Sequence, residues 1–125
     1  MAERQDDKLL EAVGKAQIKW VNAFNAGDAL GCANSYEENA IMNAKPFGTF
    51  KGRKEIHSFW TKCIEDGLSD VNYIDPPIDV IDESSAILTS KWEMNNAQGV
   101  ITKELWVLQS DGTALLREDN FEALG

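Results

Sequence analysis

The chain has 125 residues, 43% apolar and 26% charged, and carries a net charge of −9 from 21 acidic and 12 basic side chains. That length suits one domain around a single core, and the charge excludes an extended phosphate-binding surface or an anionic membrane as partner. No apolar run approaches the ~20 residues that span a bilayer, and the charged opening M-A-E-R-Q-D-D-K lacks a signal-peptide core, so a cytoplasmic protein is expected.

Residues 5–26 read as a long helix, because Leu9, Val13, Ala16, Trp20 and Phe24 recur every three or four positions as one apolar stripe. Gly27 supplies a left-handed stop, and Asp28 is placed to cap a second helix over 28–38 that buries Leu30, Cys32 or Ala33, and Tyr36. Ala40–Ala44 reads as a short strand, and Pro46-Phe47-Gly48 as a turn. A third helix is expected from Arg53 to Asp66, with Ile56, Phe59, Trp60, Cys63 and Ile64 inward and Gly67 at its end. The rest reads as strands. Residues 70–81 are interrupted by Pro76-Pro77, which removes two ladder donors and marks an edge or a bulge. Ala86–Asn95, Val100–Gln109 and Thr113–Ala123 follow, the last two joined at Asp111-Gly112. Helices first and a meander afterwards mean an α+β domain over 1–125.

Period two sorts the strand residues by face. Glu104, Trp106 and Leu108 share one side of their strand, and Leu105 and Val107 the other. Leu88, Ser90, Trp92 and Met94 share a side, and so do Leu115, Arg117, Asp119 and Phe121. Both faces carry apolar residues. A second apolar face that includes Leu105, Val107 and Leu116 predicts a homodimer.

Four segments together resemble the NTF2-like superfamily, in its SnoaL-like and ketosteroid-isomerase-like branch. They are N-A-G-D at Asn25–Asp28, Y-E-E-N-A at Tyr36–Ala40, F-G-T-F-K-G-R at Phe47–Arg53 and E-I-H-S-F-W at Glu55–Trp60. The resemblance runs through nearly the whole chain. It implies three N-terminal helices packed in a curved mixed or antiparallel sheet around a conical pocket. It places Glu104 where ketosteroid isomerases carry an oxyanion-hole aspartic acid, and it puts Trp106, Arg117, Asp119 and Phe121 inside. Trp20 falls on the oxyanion-hole tyrosine and Trp60 on another pocket tyrosine. The general base falls at Ala44 or Lys45, and neither side chain can act as one.

Glu104 is the leading catalytic candidate. A carboxyl in an apolar pocket holds its proton to higher pH and can transfer it, whereas a salt bridge to Arg117 would keep it ionised and structural. Asp119 is the second catalytic candidate. Arg117 and Asp119 either bind a carboxylate-bearing ligand or neutralise one another. Trp20, Trp60, Trp92 and Trp106 wall a ligand site or fill the cone as core, and Tyr36 joins them as a binding candidate. Asn43 orients a substrate carbonyl at the pocket mouth or is a strand-end turn residue. His57, the only histidine, is a general base or a solvated helix position. Cys32 and Cys63 read as reduced core residues, the alternative being a pocket nucleophile. No metal or other cofactor is expected. The reading is a small-molecule pocket for an apolar or carbonyl-bearing ligand, with isomerase, cyclase or hydratase-type proton transfer; the alternative is a non-catalytic ligand-binding or association domain.

Overall fold

The chain is described by a computed structural model over residues 2–74 and 76–124, with side chains described from residue 7 onward. Asp75, within the stretch 70–81 expected as an interrupted strand, lies outside the described residues. The elements run α1 (Ala2–Asn25), α2 (Ala29–Ala33), β1 (Tyr36–Lys45), β2 (Gly48–Lys51), α3 (Arg53–Glu65), β3 (Asn72–Ile74), β4 (Ile78–Asp82), β5 (Ser85–Glu93), β6 (Gln98–Leu108) and β7 (Ala114–Ala123).

The apolar stripe of α1 buries Leu9, Val13, Trp20 and Phe24 against the sheet. The helix ends where Gly27 takes a φ of 77° and the Asp28 N–H bonds back to the Ala23 carbonyl. The Asp28 side chain then accepts from the Gly31 N–H at 2.9 Å and starts α2. The expected helix over 28–38 is shorter in the structure. It stops at Ala33, and Tyr36 opens β1 instead. The cause is competition for the backbone. The Ser35 carbonyl accepts from the Leu116 N–H at 2.8 Å, and the Tyr36 carbonyl accepts from the Arg53 guanidinium. Leu30, left on a single helical turn, is 57% exposed.

Seven strands form one mixed sheet in the order β2-β1-β7-β6-β5-β3, with β4 also paired to β5. The β1–β7 pair is parallel and the others antiparallel. The turn at Pro46-Phe47-Gly48 becomes a hairpin to β2, a strand that the sequence pattern did not anticipate. The proline pair does split residues 70–81 into β3 and β4, which share β5 as neighbour.

Two irregularities reset which way side chains point. Thr102 on β6 and Arg117 on β7 have no cross-strand partner, because the register slips between Ile101 and Lys103 and between Leu105 and Trp106. Ile101, Glu104 and Trp106 therefore face the core, and so do Leu116 and Asp119. Leu116, expected on the outer face with Leu105 and Val107, is core. The outer face carries a polar chain instead: Lys103 to Glu118 at 3.0 Å, Asn120 to Glu118 at 2.8 Å, and Asn43 to Asn120 at 2.7 Å.

Candidate functional site

Helices α1 and α3 and the inner sheet face enclose a cavity of about 580 Å³. Its walls are aromatic. Trp20 comes from α1, Phe59 and Trp60 from α3, Tyr73 from β3, Trp92 from β5 and Phe121 from β7. The rings support each other: Trp20 stacks on Phe24 at 5.4 Å and meets Trp60 edge-on at 5.0 Å, while Trp60 stacks on Phe121 at 5.8 Å. Such packing holds the walls in place and leaves the centre open.

Two carboxyls interrupt this apolar lining. Glu104 and Asp119 are direct cross-strand partners on β6 and β7, 3% and 4% exposed. Their oxygens are not equally occupied. Glu104 accepts the Tyr73 hydroxyl at Oε2 (2.7 Å) and the Trp106 indole N–H at Oε1 (3.0 Å). Asp119 accepts the Tyr36 hydroxyl at Oδ2 (2.6 Å), and that hydroxyl in turn accepts the Trp60 indole N–H at 3.2 Å. Among the described residues no protein donor reaches Asp119 Oδ1, so it is the one carboxyl oxygen of the pair without a donor there, on a residue that lines the cavity. The indole N–H groups of Trp20 and Trp92 are buried without an acceptor among the described residues, an arrangement that costs about 1–3 kcal/mol each.

Burial raises both carboxyl pKa values. Desolvation is the larger cause for Glu104, followed by the charge of Asp119, and together they lift it to about 8 against the pull of its two donors. Desolvation lifts Asp119 to about 7 against the Tyr36 hydrogen bond. The pair therefore keeps one proton through neutral pH, because two adjacent buried carboxylates repel. Tyr36 and Tyr73 are pushed well above their usual range, first by burial and then by the neighbouring carboxyls, and stay neutral donors. Burial also holds the thiols protonated, with Cys32 raised to about 12 and Cys63 to about 11. Neither is a nucleophile near neutrality. Among the described residues no three His, Cys, Asp or Glu side chains gather to hold a metal ion.

The structure brings Glu104, Asp119, Trp20, Trp60 and Trp92 to the cavity wall. Trp106 and Tyr36 stand one layer behind and hold the two acids from the back. Two expected site residues are elsewhere. Arg117 is the bulged residue of β7, so it points outward with its side chain 59% exposed and pairs with Glu37 at 2.7 Å. It neutralises neither Glu104 nor Asp119. Asn43 lies between inward-facing Met42 and Ala44, so strand alternation turns it outward to Asn120 and Thr49 rather than to the pocket mouth. Ala44 is core and Lys45 is exposed, so no base stands at either position. His57 sits on α3 beside a shallow cleft with Arg53, Lys54 and Leu30, away from the cavity. Tyr73 was missed by sequence reasoning. Its signal is its place opposite Trp92 on β5, a pairing visible only after folding.

No known family model matches the chain, and no curated protein matches it in sequence. Solved structures match it in shape. A scytalone dehydratase-like protein from Novosphingobium aromaticivorans superposes with a TM-score of 0.82 at 13% identity, covering 98% of this chain and 89% of its own. A ketosteroid isomerase-like protein from Erwinia carotovora atroseptica gives 0.79 at 14% identity, covering 93% and 96%. ActVI-ORFA from Streptomyces coelicolor gives 0.76 at 15% identity, covering 92% and 97%. Identities this low speak for architecture alone. The helix–sheet order, the mixed sheet and these superpositions together make this chain a member of the NTF2-like fold.

Proposed function

We propose that the cavity binds a small apolar, carbonyl-bearing compound and moves a proton on it, as an isomerase, cyclase or dehydratase does. One observation carries this reading: a buried Glu–Asp pair in an apolar cavity, with a single carboxyl oxygen, Asp119 Oδ1, left free to meet a ligand. Near neutral pH the pair holds one proton and one negative charge between its two carboxyls. Asp119 then takes a proton from the carbon beside the ligand carbonyl. The C–H electron pair moves toward the carbonyl oxygen as the bond breaks, and the proton returns to carbon in the product. Tyr36 and Tyr73 hold the two carboxyls in register as positioning residues. Among the described residues no helix is long and apolar enough to cross a membrane. The reading includes action in the cytoplasm as a homodimer through the outer sheet face.

The test uses tetralone as probe in heavy water, with exchange of the protons beside its carbonyl followed by NMR. The wild-type chain is expected to speed exchange over buffer. Asp119→Asn is expected to lose about 10²–10⁴-fold of that acceleration. Tetralone bound by tryptophan fluorescence but not exchanged would overturn the catalytic reading in favour of ligand binding without chemistry.

A further inference from the structure

Among the described residues the acid pair has no countercharge. Buried carboxylates are ordinarily matched by a cation, and the ion pairs among the described residues are Lys15–Glu11, Lys103–Glu118 and Arg117–Glu37, none of which includes Glu104 or Asp119. The bulge at Arg117 carries the nearest basic residue of β7 out to Glu37. The other charged groups on the cavity lining, Lys62 and Asp66, are exposed and of opposite sign. Tyr36, Tyr73 and Cys63 face the region as neutral groups. With one proton between them, Glu104 and Asp119 thus leave one negative charge inside an aromatic box.

From this charge count, the free Asp119 Oδ1 and the surrounding rings, we infer that the preferred occupant is an apolar compound bearing a protonated amine. The ammonium donates to Asp119 Oδ1, which only accepts when ionised, and lies against the faces of Trp60, Trp92 or Phe121. The net charge of −9 draws cations toward the chain and repels carboxylate ligands. An ammonium beside the pair also displaces the shared proton, so binding releases a proton to solvent. The inference rests on the same cavity as the proton-transfer reading but not on its chemistry.

A matched series on the intact chain tests it: naphthylmethylamine, naphthylmethanol and naphthoate, titrated calorimetrically near pH 7 in two buffers of different ionisation enthalpy. The amine is expected to bind at least about tenfold more tightly than the alcohol, with naphthoate not binding and the buffers reporting proton release. Asp119→Asn is expected to remove the amine-over-alcohol ratio, and Glu104→Gln, which leaves the Asp119 carboxylate in place, to keep it. Equal or tighter binding of the alcohol by the wild type would overturn the inference and leave the proton-exchange test standing. Failure of all three probes to bind overturns it as well, and together with absent tetralone exchange removes both readings.

Discussion

Asp119 and Glu104 have the same chemistry and different surroundings. Glu104 has both oxygens occupied by donors, whereas Asp119 has one oxygen held and the other without a donor among the described residues. The pair also leaves a signature in stability. The unfolded chain loses these protons near pH 4, while the folded chain keeps them to about 7 and 8. The folded state thus binds more protons across that window. The stability from this linkage is full below about pH 4 and declines as pH rises through the folded values. Thermal melts are expected to show a falling Tm from about pH 5 to about pH 8, and a flattened slope in Asp119→Asn and in Glu104→Gln. An unchanged slope in the double variant would show that the carboxyls are not buried as described.

At the scale of the elements, two strand irregularities choose what enters the cavity. The register slip at Arg117 turns an arginine out and an aspartate in. Outside, the Arg117–Glu37 pair is solvent-screened, so Arg117→Ala is expected to cost less than about 1 kcal/mol. Had the arginine been buried against Glu104, removing it would cost about 3–5 kcal/mol, so urea unfolding separates the two arrangements cleanly. Gly99 gives the contrasting case. It lies opposite Trp92 on β5, and a Cβ there would run into the Glu122 carbonyl oxygen and come within 2.6 Å of Trp92 Cζ2. Gly99→Ala is expected to destabilise by about 1–3 kcal/mol and to alter the tryptophan emission as the Trp92 wall shifts. A silent Gly99→Ala would mean that Trp92 has room to move.

For the molecule as a whole, the outer sheet face keeps apolar side chains at the surface. Ile41 is 41% exposed there, with Ile87 and Leu105 half-buried as cross-strand neighbours, while Leu116 has gone to the core. Dimerisation through this face is expected, and sedimentation at micromolar concentration should give twice the chain mass. Ile41→Lys should shift the chain toward monomer. A wild-type chain that sediments as a monomer at that concentration would show that the interleaved ion pairs and amides suffice to solvate the face.

The α1 stripe, the Gly27–Asp28 junction, the α3 face and the proline break between β3 and β4 were legible in the sequence. Each depends on the spacing of neighbouring residues or on a local backbone preference. The period-two alternation also placed Glu104 beside Trp106, a local relation that survives folding. What the sequence could not settle by itself is everything that passes through a register. The helix over 28–38 yielded to hydrogen bonds from Leu116 to Ser35 and from Arg53 to Tyr36, the latter 17 residues apart in sequence. Arg117 and Asn43 left the site, and Tyr73 entered it, because bulges and cross-strand pairing set the facing of a strand residue, and these are chosen by contacts between distant segments. Periodicity thus determined the elements, and tertiary pairing decided which carboxyl oxygens received a donor.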